Sequence, residues 1–211
     1  MESRLKSLGV VPVVAIENAE HALLLADALI AGGLPVAEIT FRTAAGAEVI
    51  RRIAAERPEV LIGAGTVLSP EQAREAKACG AAFAVAPGFN PRVVDAAREV
   101  GLPFFPGVMT PSDVEGALEL GCRHLKFFPA GPAGGVKMLQ ALAAPYAHMG
   151  VKFMPTGGVT PENLSDYLAV SSVTAVGGTW VATTQSIQDG NWTGISERAR
   201  AAADIVRRAR P

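Results

Sequence analysis

The chain has 211 residues, 49% of them apolar and 18% charged, with a formal net charge of −1. That composition supplies a large core and excludes intrinsic disorder. The near-neutral balance argues against a nucleic-acid partner, whose footprint is basic.

No Pro/Gly/Ser-rich linker or charge block interrupts the chain, so a single domain over 1–211 is expected. The N-terminus shows no long apolar segment of the kind that directs export or spans a bilayer, and no membrane partner is expected. Cys79 and Cys122 are far apart and have no metal or redox spacing. They read as reduced structural thiols, and a cytoplasmic location follows as the default.

Short apolar, β-branched runs alternate with alanine-rich stretches from end to end. Strands are expected at 10–16, 36–41, 61–64, 82–86, 103–106, 124–128, 152–155 and 173–176. Helical patterns follow them, as at 21–31, 44–57 and 91–99. The strands lack polar alternation, which suits parallel strands buried on both faces. Eight β–α repeats in one domain predict an α/β fold, a single-domain (β/α)8 TIM barrel; an open doubly wound sheet is the alternative.

Helix starts carry cap signals. Ser69-Pro70-Glu71-Gln72 places an N-cap, a proline at the first helical position and a capping-box glutamine. Asn90-Pro91, Thr110-Pro111 and Thr160-Pro161 repeat the cap-plus-proline signal. Gly32-Gly33, Gly80, Gly101 and Gly121 sit where glycine closes helices. The arginines at 198, 200, 207, 208 and 210, spaced among alanines, read as a solvated helix face.

In a barrel of this kind, chemistry gathers at the C-terminal ends of the strands. Glu38, Thr40 and Arg42 lie two apart, so an extended strand turns all three to one face. Two readings stand for them: carboxylate recognition by Arg42 with proton transfer by Glu38, or a structural ion pair. Gly63-Ala64-Gly65-Thr66 ends the third strand, either as a tight turn or as a place where backbone approaches a ligand beside the Thr66 hydroxyl. Thr156-Gly157-Gly158 and Gly177-Gly178-Thr179 end the last two strands. Barrels often bind phosphate in those loops.

Lys126 lies in the run Arg123-His124-Leu125-Lys126-Phe127-Phe128-Pro129. Burial among such neighbours disfavours an ammonium and favours the free amine, which attacks carbonyls. Schiff-base chemistry is one reading; a lysine that reaches solvent or pairs with Glu38 is the other. His124, two residues earlier on the same face, reads as a satisfied core histidine, and His21 and His148 as surface residues. Trp180 and Trp192 read as packing. No His, Asp or Glu cluster has metal spacing.

Seven segments in order resemble one known family: VVPVVAI (10–16), EITFRT (38–43), GAGTVL (63–68), KFFP (126–129), GGVK (134–137), PTGGV (155–159) and GGTW (177–180). The family is the 2-keto-3-deoxy-6-phosphogluconate (KDPG) and 4-hydroxy-2-oxoglutarate (KHG) aldolases. The likeness runs through nearly the whole chain, and EITFRT with KFFP is highly specific. The resemblance implies a homotrimeric (β/α)8 barrel and a class I, Schiff-base lyase with no metal or other cofactor. It makes Lys126 the Schiff-base lysine and Glu38 the acid/base residue. Arg42 and Thr66 would hold the substrate carboxylate, and Pro87 and Phe128 would line the pocket around the imine. Gly157, Gly158, Gly178 and Thr179 would bind phosphate.

The family commonly has serine where this chain has Thr179, so the hydroxyl is kept and a methyl added. A sister family acting on the galactonate epimer shares the lysine and the glutamate but usually lacks the arginine context of EITFRT, and ranks second. Another phosphate-binding barrel enzyme and a non-catalytic binding barrel are the remaining alternatives.

Overall fold

The computed structural model describes residues 1–210. Its strands are β1 (Val10–Val14), β2 (Val36–Thr40), β3 (Leu61–Gly65), β4 (Phe83–Val85), β5 (Phe104–Phe105), β6 (Gly107–Val108), β7 (His124–Phe127), β8 (Lys152–Pro155) and β9 (Val176–Gly178). The helices are α1 (Glu2–Leu8), α2 (Ala22–Ala31), α3 (Gly46–Glu56), α4 (Pro70–Ala78), α5 (Pro91–Glu99), α6 (Pro111–Glu119), α7 (Gly135–Ala143), α8 (Leu164–Leu168), α9 (Thr184–Gln188) and α10 (Trp192–Ala209).

Each ladder is parallel. Six strands form one sheet in the order β5-β4-β3-β2-β1-β9, and β6-β7-β8 form a second. Two isolated parallel bridges, Phe153–Val173 and Thr156–Gly177, connect β8 to the segment that carries β9. β1, β2 and β3 are buried at every position, as expected for parallel strands covered on both faces. Because all strands run the same way, the loops after them collect on one rim.

The eight-stranded ring expected from the sequence is therefore met by a parallel α/β fold in two sheets. The break falls at Pro106. Proline has no N–H to donate into a ladder, and the expected strand 103–106 divides there. Phe104–Phe105 pairs with β4, whereas Gly107–Val108 pairs with β7. The Pro106 carbonyl still accepts from Lys126 N at 2.8 Å, so the chain changes sheets at this residue. The strand expected at 173–176 begins only at Val176, and Val173 contributes a single bridge.

Three of the four cap signals start helices. Ser69 accepts from Gln72 N, Asn90 from Arg92 N, and Thr110 from Asp113 N. The Gln72 side chain reaches back to Leu68 N at 2.7 Å rather than to the cap residue itself. Thr160-Pro161 starts no helix: α8 begins at Leu164. There Asn163 accepts from Thr160 N and donates to Gly158 O, which folds 160–163 into a turn.

Two of the C-terminal arginines are not solvated. Arg210 donates to the carbonyls of Leu168, Val173, Thr174 and Lys6, tying the end of α10 to α1 and to the entry of β9. Its burial lowers its pKa from the usual arginine value. Arg198 donates to Val181 O and Ser186 Oγ.

The capping box of α6 is reciprocal, with Asp113 accepting from both Met109 N and Thr110 N. Burial works against the Asp113 carboxylate, but these bonds hold its pKa below the usual range. Asp113→Ala is expected to cost about 1 kcal/mol, read as a lower Tm at neutral pH. A depressed pKa confers stability above the unfolded value that is lost as pH falls through the folded one. The Tm gap between wild type and variant should therefore close in acid; a gap that persists there would separate it from the carboxylate.

Candidate active site

Lys126 is the third residue of β7, between the buried side chains of Leu125 and Phe127. Glu38 is the third residue of β2, in the other sheet. Both are buried, with 5% and 0% of their surface exposed. Lys126 Nζ lies 3.0 Å from Glu38 Oε1 and 3.4 Å from Oε2. A buried ammonium or carboxylate alone is very costly, and the contact compensates both. The structure thus shows the Lys126–Glu38 pairing as a fact. The same geometry gives an amine and a proton acceptor in direct contact, which is what imine chemistry requires.

The glycines of β3 make room for this pair. A Cβ on Gly65 would lie 2.3 Å from Glu38 Oε1 and 2.7 Å from its Cγ, so only glycine fits beside the carboxylate. On Gly63 the same atom would meet the Phe83 ring at 2.3 Å. The ligand-approach reading of these glycines is corrected here, because protein side chains already fill the space. The register Glu38↔Gly63 and Thr40↔Gly65 puts the glutamate and the glycines on adjoining strands. The carboxylate then leans along β2 toward Gly65.

Arg42 follows β2 and is exposed at the rim. Its Nε donates to Thr40 Oγ1 at 3.3 Å, and it forms no ion pair among the described residues. The sequence left open an ion pair between Glu38 and Arg42; the structure pairs Glu38 with Lys126 instead. Thr66 follows β3, adjacent to the end of β2 through the bond from Phe41 N to Gly65 O. Thr66 has φ 57°, the left-handed region. For a β-branched residue this conformation is strained, of order 1–3 kcal/mol, and such strain clusters at binding sites. Nothing in the sequence announced it beyond the preceding glycine.

Phe128 lies beyond β7 with its ring centroid 5.6 Å from Lys126 Nζ, and its ring edge faces Gly157. Pro87 is exposed after β4. Its carbonyl carbon and oxygen crowd Gly107, where a Cβ would approach to 2.2 Å, and Gly107 is the β6 partner of Lys126. Pro87 therefore reaches the lysine's surroundings through β6.

Gly157 and Gly158 have φ of 88° and 82°. Gly178 is buried under the Trp180 ring, and Thr179 is exposed. The Thr156–Gly177 bridge sets the two glycine loops side by side. Among the described residues, the N–H groups of Gly158 and Thr179 donate to no protein acceptor. Free backbone donors in adjacent loops suit an anion.

Other groups lie outside this rim. His124 Nε2 is 3.3 Å from Glu2 Oε2 but has no hydrogen-bond partner there, so it is not the satisfied core histidine expected. It lines a cavity of about 400 Å³ with Met1, Arg98, Phe105 and Cys122, at the N-terminal end of β7. His21 packs edge-on against Trp192, 5.4 Å between centroids. Cys79 and Cys122 are free thiols whose pKa values burial pushes up. No group of three or more His, Cys, Asp or Glu side chains among the described residues is placed to hold a metal ion. No helix there is long and apolar enough to cross a membrane.

Comparison with known proteins agrees with the resemblance in the motifs. The model of the aldolase family described as KDPG and KHG aldolase matches residues 1–198. The 2-dehydro-3-deoxy-phosphogluconate aldolase of Haemophilus influenzae is 47% identical over 204 residues, covering 97% of this chain and 95% of that one. The KHG/KDPG aldolase of Escherichia coli K12 is 43% identical, covering 96% and 94%. A crystal structure of KDPG aldolase from Legionella pneumophila, with pyruvate captured as a covalent carbinolamine, superposes with a TM-score of 0.90 at 38% identity, covering 96% and 98%. Motifs, fold and full-length likeness converge on one assignment: this chain belongs to the KDPG and KHG aldolase family.

Proposed function

We propose that the chain is a class I, Schiff-base aldolase. It cleaves 2-dehydro-3-deoxy-6-phosphogluconate to pyruvate and glyceraldehyde 3-phosphate, and 4-hydroxy-2-oxoglutarate to pyruvate and glyoxylate. The observation that carries this reading is the 3.0 Å contact between Lys126 Nζ and Glu38 Oε1 inside the fold. The carbinolamine captured in a relative 38% identical over nearly its full length supports it.

In the proposed reaction Lys126 gives a proton to Glu38 and attacks the C2 ketone. Glu38 returns the proton to the carbinolamine hydroxyl, which leaves as water, and a protonated imine remains. Glu38 then removes the C4 hydroxyl proton. The C3–C4 bond breaks, its electrons enter the imine, and the aldehyde departs. Protonation of the enamine at C3 and hydrolysis release pyruvate and free Lys126. The imine is the electron sink, so the chemistry needs no cofactor.

Arg42 and Thr66 hold the carboxylate of the 2-oxo acid, while Pro87 and Phe128 close the apolar side around the imine. Gly157, Gly158, Gly178 and Thr179 take the phosphate through their backbone and the Thr179 hydroxyl. The free N–H groups of Gly158 and Thr179 favour that role. The same reading takes 1–211 as one (β/α)8 barrel domain, three copies of which assemble as a cytoplasmic homotrimer acting on a small-molecule 2-oxo acid phosphate.

Sodium borohydride added with pyruvate is expected to leave one reduced pyruvate on the Lys126 peptide, read by mass; no adduct there would end the Schiff-base reading. Glu38→Gln is expected to lower kcat by ~10²–10⁴-fold. Gly65→Ala displaces the same carboxylate without removing it, and on the order of 10²-fold is expected. Normal turnover in either variant would take Glu38 out of the proton relay. Sedimentation equilibrium should return three chain masses; one or two would discard the trimer.

A further inference from the structure

Thr40 is the last residue of β2, two after Glu38 and two before Arg42, and it is 1% exposed. Its Oγ1 donates to Val14 O across 3.1 Å and accepts from Arg42 Nε at 3.3 Å. A hydroxyl has a single proton. With that proton committed to the carbonyl that ends β1, only a lone pair is left to face Arg42. Threonine is also stiff about χ1, so β1 and β2 together fix where the lone pair points.

The consequence falls on Arg42. Its side chain leaves a buried strand for the open rim and forms no ion pair among the described residues. An arginine free in solvent samples many rotamers, and each one frozen on binding subtracts from affinity. The bond from Nε to Thr40 removes part of that freedom in advance. It also occupies one edge of the guanidinium, which leaves the two terminal nitrogens as the parallel pair that a carboxylate accepts.

We propose that Thr40 is a positioning residue for the 2-oxo acid: its hydroxyl, anchored to Val14, aims the terminal edge of Arg42 at the substrate carboxylate. This rests on the reading that Arg42 holds that carboxylate. It goes beyond that reading by assigning the clamp's geometry to a buried hydroxyl that touches no substrate. Glu38, Thr40 and Arg42 then have three separate tasks: proton transfer, aiming and binding.

The test uses Thr40→Val, Thr40→Ser, Arg42→Ala and the Thr40→Val/Arg42→Ala double variant of the full chain. Three quantities are read: the pyruvate concentration that half-saturates borohydride trapping, steady-state KM and kcat, and Tm. Thr40→Val is expected to raise the half-saturating pyruvate concentration and KM about tenfold, the scale of one hydrogen bond to a charged group, with kcat nearly unchanged. Thr40→Ser keeps the hydroxyl and should behave as wild type. On the Arg42→Ala background, Thr40→Val should add nothing further, because its route to the substrate is gone.

Unchanged KM in Thr40→Val overturns the proposal. So does a Thr40→Ser variant as weak as Thr40→Val, or additive losses in the double variant, since either would show that Thr40 acts through packing. Should Thr40→Val not fold, Thr40→Ala makes the same comparison without a branched side chain. If Arg42→Ala alone leaves KM unchanged, the fault lies in the Arg42 reading, and the proposal falls with it.

Discussion

A lysine and a glutamate from two different sheets meet inside this molecule. Neither is tolerable alone at that depth, and breaking such a pair by removing one partner typically costs ~3–5 kcal/mol. The Lys126–Glu38 contact therefore joins β7 to β2 across the interior as well as serving the proposed chemistry. It dictates its neighbours too. β3 carries glycine at 65 because the carboxylate occupies the volume a side chain would need. The strand residues flanking Lys126 are large and apolar, so water does not dissolve the pair. The surrounding architecture is what makes an amine beside a carboxylate stable enough to hold in place.

Around that buried centre the remaining candidate groups sort by depth. Glu38, Lys126 and Thr40 are buried, whereas Arg42, Thr179, Gly158 and Pro87 are exposed on the rim. Thr66, Phe128 and Gly157 lie between, half-buried. In the proposed reading, bond-making falls to strand residues and recognition chiefly to the loops that follow them. The division matches the general behaviour of parallel α/β folds, where a scaffold positions loops that carry specificity.

Much of this was legible in the sequence, and the failures have physical causes. Local signals held where one residue's chemistry decides the outcome: the caps at Ser69, Asn90 and Thr110, and a lysine among aliphatic and aromatic neighbours. The strand carrying Glu38 and Thr40 ends at Thr40, so Arg42 lies in the following turn and reaches back to Thr40 through its side chain. Thr160-Pro161 shows how such a signal fails. It has the same dipeptide form as Thr110-Pro111, but the Asn163 side chain takes the Thr160 N–H and donates to Gly158 O, closing a turn before a helix can start. The helix is thereby delayed to Leu164. Pro106 was visible as a proline, but its effect depended on which sheet lay on each side. Gly65 could not be read correctly without knowing that Glu38 leans over it. Arg210 looked like one more solvated cation in a basic stretch, and only the fold shows the carbonyls waiting for it at the ends of α8 and α1. For Pro106, Gly65 and Arg210 the missing information was a neighbour distant in sequence.

The two ends of the proposed site are built from different materials, and that difference bears on substrate range. At the carboxylate end, side-chain and backbone hydrogen bonds pin the strands to one another. Thr40 bonds to Val14 O, Thr43 to Ile16 O at 2.6 Å, and Phe41 N to Gly65 O at 2.7 Å. These contacts fix the rim of β1, β2 and β3 as one unit, with Arg42 and Thr66 upon it. At the other end the proposed anion site is made chiefly of backbone N–H groups on glycine loops, which Gly131 N to Gly157 O at 2.7 Å and Asn163 to Gly158 O at 3.0 Å hold in place and which carry no charge of their own. The two proposed substrates share the 2-oxo acid half and differ in the half that leaves as aldehyde. A charged clamp for the shared half and an uncharged cradle for the variable half would accept both. A lysine or arginine in the glycine loops would instead bind phosphate more tightly and leave an unpaired charge whenever the shorter, unphosphorylated substrate was bound.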